Sequence, residues 1–224
     1  MERGEALSEQ ELQRLTSGAQ ALGVSIDERR ATAMLRLLDL LEKWNRAYNL
    51  TAVRDRSAML SRHLLDSLSL VPLMKDTPVL DLGAGGGFPG LVLALESPQR
   101  PVTLIDSNIK KTRFLMQCRL EMDLENVTVV NERVERYQPA RLYHQITSRA
   151  FASLAETVRL ADHLLATDGE LLAMKGPEAD REIRELPEGW QVVEDRPVAV
   201  PGSDAERRLL RVRRERNAVP SNDS

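Results

Sequence analysis

The segment Val79-Leu80-Asp81-Leu82-Gly83-Ala84-Gly85-Gly86-Gly87-Phe88-Pro89-Gly90 constrains this chain more than any other. Four residues of buried-strand character run straight into a glycine-rich turn, and Leu91, Leu93 and Leu95 then follow Pro89 at the start of a helix. Glycines lack Cβ, so they take positive φ and let a ligand lie against bare backbone. The helix start adds N–H groups and the positive end of a dipole. A strand, turn and helix in this order belong to a parallel α/β sheet, which binds ligands at the carboxyl ends of its strands.

Two ligand classes satisfy the spacing. Gly85, Gly87 and Gly90 fit the dinucleotide pattern G-x-G-x-x-G, while Asp81, Gly83, Gly85 and Gly87 fit D-x-G-x-G-x-G. Asp81 tips the balance: at a strand end it would face the cationic methionyl moiety of S-adenosylmethionine, directly or through water, whereas it would repel a pyrophosphate. Asp106 stands 19 residues after Gly87, at the tip of the next strand, where a carboxylate accepts both hydroxyls of a ribose. Both cofactor classes use that contact. No Lys-Ser or Lys-Thr follows the glycines, which excludes a Walker phosphate loop.

The rest of the chain supports a sheet with crossover helices. Residues 8–70 are helical by spacing: Leu12 and Leu15, then a stripe of Met34, Leu35, Leu37, Leu38, Leu41 and Trp44, a polar break at 45–51, and a second run to Pro72. From Pro78 short apolar runs alternate with helix-length segments. Strands are predicted at 79–82, 102–105, 127–130, 145–148 and from Gly169 to Lys175, with helices at 109–121, 153–165 and 178–186. Trp190 to Val193 and Arg207 to Val212 form an antiparallel hairpin at a sheet edge. The expectation is an α/β fold with a mostly parallel seven-stranded sheet. An N-terminal helical extension would cover 1–72, the ligand-binding domain 73–214, and a polar, disordered tail 215–224.

Composition narrows the functional classes. Cys118 is the only cysteine and the three histidines are scattered, so neither a disulfide framework nor a Cys/His metal site can be assembled. No apolar run follows a basic start, and none approaches the roughly 20 residues of a membrane span, so a cytoplasmic protein without membrane attachment is expected. The net charge of −3 lacks the basic character of a free-standing nucleic-acid binder, although arginines crowd 207–216.

At this point the sequence resembles one family, the RsmG (GidB) methyltransferases, which modify N7 of a guanine in 16S ribosomal RNA. The resemblance rests on Trp44-Asn45 with Asn49-Leu50-Thr51, on Arg62-His63-Leu64-Leu65-Asp66-Ser67, on the glycine turn, on Asp106-Ser107, on Ser148-Arg149-Ala150-Phe151 and on Lys175-Gly176. It implies a class I Rossmann-like methyltransferase fold and S-adenosylmethionine as cofactor. It further implies cofactor contacts at Gly83, Phe88, Val134, Glu135 and Arg149, beside the Asp81, Gly85 and Asp106 already singled out.

The acceptor would be 16S rRNA or the small ribosomal subunit, approached by a monomer through Arg62, His63, Lys110, Lys111 and Lys175, with Arg54, Arg56 and Arg113 as further phosphate contacts. Aromatic content of 4% leaves few stacking platforms, so a preformed RNA shape is expected as substrate. Guanine N7 carries an in-plane lone pair, so the reaction requires positioning and no general base. A nicotinamide-dependent oxidoreductase and a binding module without catalysis are the competing readings.

Overall fold

The computed structural model describes residues 2–215. Its centre is a seven-stranded sheet of β1 (Val79–Leu82), β2 (Val102–Ile105), β3 (Val127–Val130), β4 (Tyr143–Arg149), β5 (Leu165–Lys175), β6 (Trp190–Pro197) and β7 (Arg208–Arg214). The order across the sheet is β3-β2-β1-β4-β5-β7-β6. The first five strands are parallel, and β7 inserts antiparallel between β5 and β6. From β1 the chain passes to β2 on one side, while β4 lies on the other. The carboxyl end of β1 is therefore a topological switch point, and the glycine turn leaves from it. All four residues of β1 are buried, as a central parallel strand covered on both faces requires.

One face of the sheet is covered by α5 (Gly90–Glu96), α6 (Ile109–Glu121) and the N-terminal helices. Of these, α1 spans Glu2–Ala21 and α2 spans Glu28–Tyr48. The Asp27 side chain caps α2 by accepting from the Arg30 N–H at 2.7 Å, a bond worth about 1 kcal/mol. The fully buried Met34, Leu37, Leu38 and Leu41 of α2 share one apolar cluster with Leu91, Leu104 and Phe114. Burying each such side chain contributes roughly 1.5–3 kcal/mol, which fixes the N-terminal helices against the sheet. The opposite face is covered by α7 (Leu154–Ala161), through Leu154 and Val158 packed on Leu80, Leu82 and Ile146.

Between α2 and the sheet, α3 (Arg56–Met59) continues through a π-helical stretch, Leu60–Leu65, into α4 (Asp66–Leu68). π-Helical turns are rare and recur at functional sites. This one carries Arg62 and His63.

Several boundaries differ from expectation, among them β4, which spans Tyr143–Arg149, and β6, which runs on to Pro197. Asn45 does not break α2: it is buried, and its side-chain oxygen accepts from the Thr51 N–H at 2.9 Å, so the helix runs on to Tyr48 and stops at Asn49 in the left-handed region (φ 49°). The helix expected over 153–165 ends at Ala161, and β5 begins at Leu165 rather than Gly169. Gly169 lies inside the strand, at a position where any Cβ would stand 2.9 Å from both the Ala166 and Tyr143 carbonyl oxygens. After β3 the chain forms a 3-10 turn at Val134–Arg136. Apart from Glu215, the polar tail lies outside the described residues.

Candidate active site

Three glycines of the turn have positive φ: Gly83 (63°), Gly85 (55°) and Gly87 (89°). Gly90 is required for a different reason, since a Cβ there would meet Leu104 Cδ2 at 2.2 Å and Asp81 Oδ2 at 2.8 Å. Asp81 lies beneath the turn, where its Oδ2 accepts from the Gly90 N–H at 2.9 Å and its Oδ1 from the Thr147 hydroxyl at 3.2 Å. Burial pushes its carboxyl up to about 7. Both oxygens thus have protein partners, and Asp81 braces the turn rather than facing a ligand as the sequence suggested.

Asp106 at the tip of β2 accepts from the Gly85 N–H at 3.0 Å and from the Asn108 N–H at 2.8 Å. Two N–H groups of the turn and helix start, expected to face a ligand, are therefore held by carboxylates. A pyrophosphate placed on this turn would meet carboxylates where it needs donors. The glycines instead supply bare backbone for close approach.

A cavity of about 400 Å³ opens beside the turn and brings Gly83, Asp106, Val134 and Glu135 together with Phe151 and Leu160. Val134 is buried and gives it an apolar wall, while Glu135 is exposed at its rim. Each Asp106 oxygen keeps a lone pair beyond its backbone bond, so the carboxylate remains able to take hydroxyl donors. The Phe151 ring covers Gly83 so closely that a Cβ on that glycine would lie 2.2 Å from Phe151 Cδ2. These features fit an adenosine-bearing ligand: an acidic hydroxyl acceptor, an apolar wall, and a glycine with room for nothing larger.

Phe88 and Arg149 stand outside that cavity. Phe88 is buried, with the His63 ring stacked on it at a 4.7 Å centroid distance and the Arg149 guanidinium 5.4 Å from its centroid. Arg149 ends β4 and reaches back to the π-helical stretch. Its Nη1 donates to the Arg62 carbonyl at 2.7 Å and to Asp66 Oδ2 at 3.1 Å, and its Nη2 lies 3.3 Å from His63 Nδ1. Its carboxylate partner is thus Asp66, 3.1 Å away.

A second cavity of about 550 Å³ lies on this side, lined by Thr51, Arg62, His63, Arg149, Lys175 and Arg207 among others. Ala150 and Ala152 line both cavities, so the chain just after β4 forms the partition between them. Ala150 holds a left-handed φ of 49°, a conformation that costs an alanine roughly 1–2 kcal/mol. Burial, aided by the Arg149 charge, pushes His63 down to about 3. The ring is therefore neutral near pH 7, and its Nε2 lies 3.0 Å from the Thr51 hydroxyl.

The expected RNA-contacting cations separate into two groups. Arg54, Arg62, Lys110 and Arg113 are exposed, and Lys111 is half-buried with its Nζ 3.7 Å from Asp106. Lys175 is buried instead, donating to the Ala152 carbonyl at 2.8 Å and pairing with Glu182 at 2.7 Å. Arg56 pairs with Glu11, Asp39 and Glu42 and so ties α1, α2 and α3 together. The charges of Lys175 and Arg56 are engaged within the protein.

Sequence reasoning did not single out Thr147, Asp66 or Arg207. Asp66 lay inside a quoted motif and Arg207 inside a basic run, but their contact joins residues 141 positions apart and leaves no local signal. Among the described residues no group of three or more His, Cys, Asp or Glu is placed to hold a metal ion, and no helix is long and apolar enough to cross a membrane.

Comparison with known proteins shows the family and the fold. The GidB family model, described as rRNA small subunit methyltransferase G, matches residues 30–211. A protein of Chromohalobacter salexigens named ribosomal RNA small subunit methyltransferase G is 52% identical over 201 residues, covering 90% of this chain and 96% of that protein. Its namesake in Marinobacter nauticus is 51% identical over 200 residues, covering 89% and 94%. Among solved structures, the glycopeptide N-methyltransferase MtfA complexed with S-adenosyl-L-methionine superposes with a TM-score of 0.56 at 14% identity, covering 68% of this chain and 95% of that one. TrmN from Thermus thermophilus gives 0.53 at 21%, covering 70% and 53%. These two likenesses show the fold.

Proposed function

The chain belongs to the rRNA small subunit methyltransferase G family, and from that premise we propose that it transfers a methyl group from S-adenosylmethionine to N7 of a guanine in 16S rRNA. The observation that carries this reading is the pair of cavities meeting at Ala150 and Ala152, one suited to adenosine and the other walled by cations. The helical residues 1–72 contribute Thr51, Arg62 and His63 to the acceptor side, and the remaining domain, 73–214, holds the donor.

Bound there, the cofactor supplies an electrophilic sulfonium methyl. Asp106 would accept the ribose hydroxyls, Val134 would pack against the adenine with Glu135 at its polar edge, and Gly83 and Gly85 would let the chain approach closely. Arg149, at the end of β4 and next to the partition, would fix the segment that separates the two cavities, its guanidinium held by the Arg62 carbonyl, Asp66 and His63. Guanine N7 would attack the methyl carbon with its own lone pair as the carbon–sulfur bond breaks, leaving neutral S-adenosylhomocysteine and a positively charged N7-methylguanine, with no proton to be removed. A neutral, buried His63 held between Thr51, Phe88 and Arg149 is suited to shaping the site and not to removing a proton. Rate enhancement then comes from aligning nucleophile, methyl carbon and sulfur.

The competing dinucleotide chemistry is disfavoured by the carboxylates that hold the Gly85 and Gly90 N–H groups. Arg62, Lys110 and Arg113, with the half-buried Lys111, furnish the phosphate contacts, and the protein acts as a cytoplasmic monomer on 16S rRNA or the small ribosomal subunit. The test is methyl transfer from labelled S-adenosylmethionine to small subunits from cells lacking this protein, with the product nucleotide mapped by cleavage at N7-methylguanine. A single new cleavage in 16S rRNA is expected. Tight binding of NAD without methyl transfer would overturn the reading.

A further inference from the structure

We propose that Asp66 is a positioning residue that ties the donor and acceptor sides of the reaction together, through Arg149 with one carboxylate oxygen and Arg207 with the other. The proposal rests on the methyltransferase reading and assigns to Asp66 and Arg207 roles within it. Asp66 is 1% exposed, and its two oxygens are divided between two arginines: Oδ2 accepts from Arg149 Nη1 at 3.1 Å, and Oδ1 accepts from Arg207 Nε at 2.7 Å. Arg149 ends β4, next to the partition between the cavities, and Arg207 precedes β7 in the C-terminal hairpin. Asp66 itself follows the π-helical stretch. One carboxylate thereby joins three parts of the chain at the wall of the acceptor cavity.

Arg207 differs from the arginines that follow it. Arg208 pairs with Asp180 and Asp195, Arg211 with Glu194 and Glu170, Arg213 with Glu170, and Arg214 with Asp162 and the Ala166 carbonyl. Arg207 donates through Nε to Asp66 and lines the acceptor cavity, and among the described residues its two terminal nitrogens make no hydrogen bond. A guanidinium held by Nε presents Nη1 and Nη2 as a rigid planar fork, the geometry that takes a phosphate with two parallel bonds. Asp66 also offsets the repulsion between two cations brought to one wall, of which Arg149 lies over Phe88. Its removal would release Arg207 from the cavity mouth and Arg149 from the partition, altering acceptor and donor binding through different partners.

The test is a pair of double-mutant cycles on the full-length protein, at a temperature where circular dichroism shows every variant folded. Asp66→Asn keeps the shape but not the charge, and retains a single acceptor oxygen. It is expected to raise the KM for small subunits and the Kd for S-adenosylmethionine, each about tenfold, the lower end for losing a hydrogen bond to a charged group. In the first cycle, Arg207→Ala is expected to raise the small-subunit KM without moving the cofactor Kd, and adding Asp66→Asn should raise that KM little further. In the second, Arg149→Ala should raise the cofactor Kd, and adding Asp66→Asn should raise it little further. Additive effects in both cycles, or a lowered melting temperature with normal KM and Kd, would overturn the proposal. Loss of methyl transfer in the wild-type protein would instead overturn the functional reading, so the two failures are distinct.

Discussion

The His63 ring lies stacked on Phe88, 4.7 Å between centroids and 16° from parallel, with Thr51 and Arg149 at its two nitrogens. Protonation of this ring is opposed first by burial and then by the Arg149 cation, which is why it stays neutral until about pH 3. The unfolded chain takes up this proton near 6.5, so between 6.5 and 3 it binds more protons than the folded one. Folding stability is therefore expected to fall as pH drops below 6.5. His63→Gln should flatten that fall in urea titrations at pH 7 and pH 5, and an unchanged slope would contradict the buried neutral ring.

Asp81 has the opposite slope. Its folded carboxyl titrates at about 7 against an ordinary 3.8, so the folded state holds the extra proton between those values. The stability that comes from this proton is complete below 3.8 and is lost as pH rises through 7. Asp81→Asn is accordingly expected to compare more favourably with wild type at pH 8 than at pH 5, measured by the same titration. A constant difference across that range would mean that Asp81 does not change charge there.

Gly90→Ala is expected to destabilise the fold by about 2 kcal/mol, the usual cost of forcing a methyl into a filled site. Alanine gains up to ~1 kcal/mol of helix propensity over glycine, but the new Cβ meets Leu104 and Asp81 in the folded state. The clash should prevail and weaken cofactor binding as well, because Asp81 would be displaced from the turn. Thermal unfolding and calorimetric titration with S-adenosylmethionine check both expectations.

Lys110 and Lys175 should respond in different ways. Lys110→Ala removes an exposed charge, so stability should change by less than about 0.5 kcal/mol. The salt dependence of small-subunit binding should become shallower by about one unit of slope. Lys175→Met leaves the Glu182 carboxylate unpaired where both partners are largely buried, and a loss of about 3 kcal/mol is expected. Chemical unfolding together with binding at several salt concentrations separates the two roles. A Lys175 variant of normal stability with a reduced salt slope would place that lysine on the RNA.

Much of this protein was legible in the sequence because its signals are local. A buried strand, positive-φ glycines and a helix start are dictated by residues within one turn of each other, so β1, the glycine turn and α5 were recognised from spacing, and the alternation after Pro78 gave the seven strands. The cofactor-side residues Gly83, Asp106, Val134 and Glu135 do line one cavity, since strand tips of a parallel sheet lie together by construction. Tertiary structure decided what the charged groups do. Whether Lys175 faces solvent or Glu182, and whether Arg149 finds Asp66, depends on which distant segments pack against them. Asp81 is expected from the sequence to face a ligand, but the path of the turn engages its oxygens with the Gly90 N–H and the Thr147 hydroxyl, while Asp106 braces Gly85 and still lines the cavity. Hydrophobic period and glycine spacing are properties of neighbouring residues. The partner of a carboxylate is set by the whole fold, because a buried charge requires a counter-charge or hydrogen-bond donors and takes them from whichever elements the sheet brings within reach.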